Sequence, residues 1–187
     1  MSTTTIARSV ITNVLMFTIL SLAFLVSAKA DKTPSPADLN DLEIAHVAYT
    51  ADNIDIRYAH LALAKSKNPV VIEFAETMVQ DHTGVNKQAL ALLNELGAQP
   101  QDNFLSQQLN QQSDKLVEEM SALSGEEFDK RYAENELAYH QAVNGLVEGT
   151  FIPNIQNPQM KVLFEQALVI FKAHQDKAQN MVNAVNK

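Results

Sequence analysis

Four stretches of this chain repeat apolar residues at helical spacing, and each interrupts its apolar stripe with an ionisable side chain. A helix turns about 100° per residue, so every position can be assigned to a face. In one stretch Val71, Phe74, Met78, Val85, Ala89, Leu92 and Leu96 share a face; His82 falls in its middle and Asp81 near one edge. In the last, Met160, Leu163, Ala167, Phe171, Ala178, Met181 and Val185 form the stripe around His174. A third sets Glu136 inside Phe128, Tyr132, Tyr139, Val143 and Leu146, with His140 one turn on and Val147 to the side. The first stretch has a broader arc, from Val47, Ile54 and Leu61 round to Ile56, Leu63 and Tyr49. Ala48, Ala59 and Asp55 occupy the middle of that arc, with Asp52 beside them. A buried charge or imidazole without a partner costs roughly several kcal/mol, so four at one depth imply a polar site inside a helix bundle.

The helix ends are also legible. The first helix spans about residues 37–66 and stops at Asn68-Pro69, where Asn is a good N-cap and Pro a good first-turn residue for the next helix. That second helix runs to Gly97. A polar, Gln-rich stretch from Phe104 to Leu123 reads as helical but shallowly packed. Ser124-Gly-Glu-Glu127 reads as a capping box that opens a helix to about Phe151, broken by Pro153. Asn157-Pro158 repeats the Asn-Pro start and opens the last helix. Two long hairpins joined by residues 98–124 predict an all-α, ferritin-like up-down-down-up four-helix bundle with a short extra helix in the long crossover.

Upstream, Val14–Val26 is an apolar run after Arg8, and Ala28-Lys29-Ala30 has the small-x-small pattern of a cleavage site. Residues 1–30 therefore read as a signal peptide, 31–36 as a tether and 37–187 as one domain. The alternative is an uncleaved segment that anchors the protein in the membrane. The run is shorter than the roughly 20 residues a span needs, so no membrane span is expected in the mature chain. Loss of Arg8 and Lys29 with residues 1–30 leaves 12 basic against 22 acidic residues, a net charge of −10. That balance argues against nucleic acid and anionic lipid surfaces as partners. Self-association stays open. The chain has no cysteine, which excludes thiolate chemistry and disulfides. With five glycines and no Gly-x-Ser-x-Gly it offers no phosphate loop or nucleophile motif, so no residue is assigned as catalytic.

Depth agrees with face: measured from the two hairpin turns, all these polar residues fall within one or two helical turns of mid-bundle. The expected site is Asp55, His82, Glu136, His140 and His174. Imidazoles with carboxylates suit zinc, iron, copper or manganese. Each member also has a reading as a hydrogen-bonded core group: His82 and His174 as satisfied core histidines, Glu136 in an ion pair with Arg131 or His140. A carboxylate-bridged iron pair needs Glu-x-x-His on two helices. The only literal match, Glu43-Ile-Ala-His46, lies high on the first helix and largely off the apolar arc. His46 and His60 both read as surface residues. Met78 and Met181 flank the histidines but read as packing.

Asn68-Pro69 leading to Phe74-Ala75-x-x-Met78-Val79-x-Asp81-His82, with Asn86, Tyr139-His140 and His174 beyond, resembles the bacterial family called domain of unknown function 4142. The resemblance covers about residues 38–180 and implies an exported protein grouped with ferritin-like bundles. That family usually carries Glu where this chain has Asp55. It implies no activity. Three functional classes follow: a cation-binding or stress-related envelope protein, a non-catalytic structural or interaction module with a polar core, and, last, a di-iron redox enzyme.

Overall fold

Asparagine side chains open four of the five long helices. The computed structural model describes residues 33–187, and the expected signal peptide and the start of the tether lie outside the described residues. After a short 3-10 turn, Pro36–Asp38, Asn40 accepts from the amides of Leu42 and Glu43 while Glu43 returns a bond to the Asn40 amide. This reciprocal cap starts helix α1, Asp41–Lys65. Asn68 caps α2, Pro69–Glu95, with Pro69 in the first turn. Asn103 caps α3, Phe104–Ala122, and Asn157 caps α5, Pro158–Val185, again with proline first. Between them lies α4, Gly125–Leu146.

The exception corrects the sequence reading. Ser124 makes no capping hydrogen bond, and Gly125 takes φ 58 directly after it. The chain enters α4 by a left-handed turn instead of the extended-to-helical step a capping box requires. Pro153 does not break the helix either. Beyond α4 the chain continues as a π-helical turn, Val147–Phe151, and then Ile152–Asn154. Pro153 sits in the first turn of that last piece, where a missing amide N–H is tolerated.

α1 packs on α2, α4 on α5, and the pairs meet through α2 with α5 and α1 with α4. The result is an all-helical bundle. The crossover helix α3 lies mainly against α1 and is a full 19 residues long rather than short, but it packs shallowly, as its polar sequence implied. Its buried line is Ser106, Ser113 and Met120, at seven-residue spacing, so polar residues conceal its inner face. It covers the arc of α1 that carries Arg57 and Lys65. Arg57 bonds Asp114 and Ser113, Lys65 bonds the Ser121 carbonyl, and Thr50, two turns before Arg57, is buried. The α2 stripe also drifts at its end: Leu93 is buried and Leu96 exposed, because α2 closes at Glu95 and Leu96 is already its cap.

Two apolar clusters fill the interior. One gathers Tyr58, Ala62, Val71, Phe74, Met78, Phe128, Tyr132 and Met181. The other gathers Ile44, Val47, Leu93, Phe151, Met160 and Phe164. Each large side chain fully withdrawn from water contributes about 1.5–3 kcal/mol, which holds the bundle without cross-links. Along every core helix the predicted polar residues fall between these clusters. Among the described residues no helix is long and apolar enough to cross a membrane.

Candidate metal centre

All five expected site residues meet in one buried layer. Asp55 and Glu136 are fully buried, and His82, His140 and His174 are exposed by at most 4%. The three rings are mutual neighbours, with centroids 5.3 Å apart for His82 and His174, 5.6 Å for His140 and His174, and 5.9 Å for His82 and His140. Asp55 reaches two of them: its Oδ2 lies 3.3 Å from His82 Nε2 and 3.4 Å from His140 Nε2.

Each imidazole is held through one nitrogen, which leaves the other facing inward. His82 Nδ1 donates to Asp52 Oδ1 at 2.7 Å. His140 Nδ1 donates to the Glu136 carbonyl at 2.9 Å, one turn back on its own helix. His174 Nε2 donates to Asp81 Oδ2 at 2.9 Å. A carbonyl can only accept, so the proton of neutral His140 is on Nδ1 and its lone pair on Nε2. The inward atoms are thus His82 Nε2, His140 Nε2 and His174 Nδ1. Such anchoring fixes tautomer and ring orientation in metal-binding histidines.

Those inward atoms are unsatisfied. His82 Nε2, His140 Nε2, His174 Nδ1 and both carboxylate oxygens of Asp55 and of Glu136 are buried without a hydrogen-bond partner. Buried polar groups in native proteins are nearly always satisfied, and each orphan costs about 1–3 kcal/mol. Seven orphans in one layer describe a shell of donors with the acceptor of their lone pairs still to be supplied. Potential ligand atoms of His82, His140 and His174 lie within 4.8 Å of one another, and so do those of Asp55, Glu136 and His140. Donors around a tetrahedral ion at ~2.1 Å sit roughly 3.4 Å from one another, so donors within 4.8 Å are spaced on the scale of one ion's shell.

Electrostatics split the histidines. Burial pushes His174 down to about 4, with the Asp81 hydrogen bond opposing and His82 and His140 adding repulsion. Burial likewise lowers His140. On His82 burial is outweighed by Asp55 and Asp52, which hold it well above the usual imidazole range. Burial raises Asp52 against its His82 contact. Burial also acts on Asp55, but His82 and His140 together hold it low. Glu136 is pushed well above the carboxylate range, by burial and then by the Asp55 charge. These directions favour the protonated forms of His82 and Glu136, so a cation bound here would compete with protons.

The core-histidine reading is half right: each ring has one hydrogen-bonded nitrogen, while the second nitrogens of His82 and His140 lie 3.3 Å and 3.4 Å from Asp55 Oδ2 without a well-formed hydrogen bond. Of the two partners expected for Glu136, Arg131 pairs instead with Glu119, 2.6 Å away on the surface, whereas His140 Nδ1 does lie 3.8 Å from Glu136 Oε2. Glu43 is used in the α1 cap, and His46 lies 3.7 Å from Asp102, away from the layer. His46 is half-buried, not superficial as its face suggested, whereas His60 is exposed. Met78 and Met181 pack in an apolar cluster. Asp52 and Asp81 were missing from the expected set. Their signal is positional: each sits beside the stripe, Asp81 next to His82 in sequence and Asp52 one turn from Asp55.

Fold and centre together define a helical-bundle protein with an acid–imidazole cluster sealed at mid-depth. The chain belongs to the family described as domain of unknown function (DUF4142), whose family model matches residues 26–181. No curated protein and no solved structure matches the chain.

Proposed function

We propose that the protein binds one divalent transition-metal ion at this layer, through His82 Nε2, His140 Nε2, His174 Nδ1 and the Asp55 carboxylate. Glu136 stands beside the ion as a further donor or as the acceptor of a proton from a bound water. The observation that carries the reading is the set of seven orphaned, buried donor atoms converging from four helices. Three imidazoles with one or two carboxylates suit zinc, and also iron, copper or manganese. One ion is favoured over a pair, because both candidate triads share His140 and its single inward nitrogen can bind only one. We further propose the ferritin-like up-down-down-up path, supported by the short links of both hairpins and by contacts that run α4 antiparallel to α1. Lys65 lies over Phe128, whereas Tyr139 reaches back to the Ala51 carbonyl. Export to the periplasm or envelope, directed by residues 1–30, completes the proposal and gives a cation-binding envelope protein.

The test is metal analysis of untagged protein purified from the periplasm, followed by melts with added Zn²⁺. Close to one ion per chain is expected, and about 2.7 kcal/mol of added stability at 100 times the dissociation constant. His82→Leu and His174→Leu should abolish both. Absence of any metal-dependent shift in the wild type would leave a structural module whose polar core only sets the packing.

A further inference from the structure

Beside the acid–imidazole layer lies a second feature that the metal reading does not use. A cavity of about 340 Å³ lies inside the bundle, bordered by every long helix. This volume is within the roughly 300–1,000 Å³ range of small-molecule sites. Its origin is in the sequence: Ala48, Ala51, Ala89, Ala138, Ala142 and Ala167 line it where larger residues would have closed it. Crossover helix α3 roofs it with Leu109 and Leu116. The exposed members of its lining are Gln112 on α3 and Ala138 and Ala142 on α4, so the mouth opens between these two helices.

The wall is largely apolar, and its chemistry narrows the occupant. No cation lines the cavity. The single acid, Asp52, is already engaged with His82 Nδ1. A carboxylate or phosphate head would enter without a counter-charge and face Asp52. An ammonium head would find only a carboxylate that is already paired. Uncharged hydrogen-bonding groups remain: Asn86 and Asn135, each at 7% exposure, line the cavity, with a buried Oδ1 on Asn86 and a buried Nδ2 on Asn135 that have no partner. An acceptor of this kind calls for an O–H or N–H donor on the occupant. Nearby, Phe171 presents one face of its wall and stacks on His82 at 4.7 Å.

We infer that this cavity is a binding site for a neutral single-chain amphiphile, its hydrocarbon body against the alanine-rich wall and its hydroxyl donating to Asn86 Oδ1. Ligands of this type enter between α3 and α4. The site stands independently of the metal reading, although its inner wall is formed by residues that hold or stack on His82.

The test uses the full mature chain and three probes of equal length: 1-octanol, octanoate and octylammonium. Binding is followed by calorimetry and by ligand-observed NMR, with and without chelator. Saturable 1:1 binding of 1-octanol is expected, at least tenfold tighter than either charged probe and unchanged by chelator. Ala142→Phe, at the exposed mouth, should weaken it at least tenfold while leaving thermal unfolding in place; Ala138→Leu serves if that variant folds poorly. Asn86→Leu should weaken 1-octanol several-fold. Failure of 1-octanol to saturate, or indifference to both mouth variants, would overturn the site. Equal or tighter binding of octanoate or octylammonium would overturn the neutral head group. Loss of binding on chelation would place the hydroxyl on a metal and overturn its assignment to Asn86.

Discussion

The layer of His82, His140, His174, Asp55 and Glu136 and the apolar cluster around Phe128 lie next to each other on the same helices, yet they are built on opposite principles. Around Phe128 the neighbours Tyr58, Ala62, Val71, Phe74 and Tyr132 are apolar surfaces that complete one another. The Tyr132 hydroxyl is the lone polar orphan there, and burial followed by Glu136 raises it well above its usual range, so it stays neutral. In the polar layer each ring has one satisfied nitrogen and one open nitrogen. The first region stabilises the fold. The second is stabilised by the fold and carries the unsatisfied groups that chemistry can use.

The sharpest way to break this comparison is to cut into each region. Phe128→Ala should cost about 3–5 kcal/mol in chemical denaturation, because transfer and cavity terms add. A loss under 1 kcal/mol would mean that this cluster is not the stabilising half. In the polar layer, Asp52→Asn removes the charge behind His82 without altering volume. Metal affinity should fall about 10–100-fold by competition titration, and stability without metal should fall as well, because the buried His82 loses a facing carboxylate. An unchanged affinity would show that Asp52 does not orient the ring.

pH separates the members of the layer. In chelated protein His174 has its folded pKa lowered to about 4, so it binds fewer protons folded than unfolded. Its contribution is present above about 6.5 and is lost as pH falls from there towards 4. His140 has the same sign. His82, raised by Asp55 and Asp52 against its burial, contributes fully below about 6.5 and loses that contribution as pH rises through its folded value. Glu136 and Asp52, both raised, also lose stability as pH rises, and Asp55 opposes them. The comparison therefore rests on variants. Relative to wild type, His174→Leu should flatten the acid limb and His82→Leu the neutral-to-alkaline one; identical pH profiles for both variants would refute this division of roles. The smallest effect is expected far from both regions. Arg131→Ala breaks a surface pair with Glu119 and should leave chemical denaturation nearly unchanged, any small loss fading in salt.

Much of this molecule is legible because helix faces are local. Asn68-Pro69 and Asn157-Pro158 mark starts through bonds between near neighbours, and the positions of His82, Glu136 and His174 follow from helical spacing alone. The same local logic misread Ser124, whose cap is displaced by the left-handed turn at Gly125. For α3 it anticipated a shallow polar helix, and only Ser106, Ser113 and Met120 are buried there, but it underrated the length of 19 residues.

Sequence by itself thus determined which side chains turn inward and at what depth, since periodicity and rise act within one helix. Only the tertiary structure decided which nitrogen of each ring faces the centre. That choice depends on Asp52 bonding His82 and Asp81 bonding His174, pairs 30 and 93 residues apart in the chain. The cavity beside the layer is likewise a tertiary product: alanines scattered through four helices leave a gap only where packing sets them side by side.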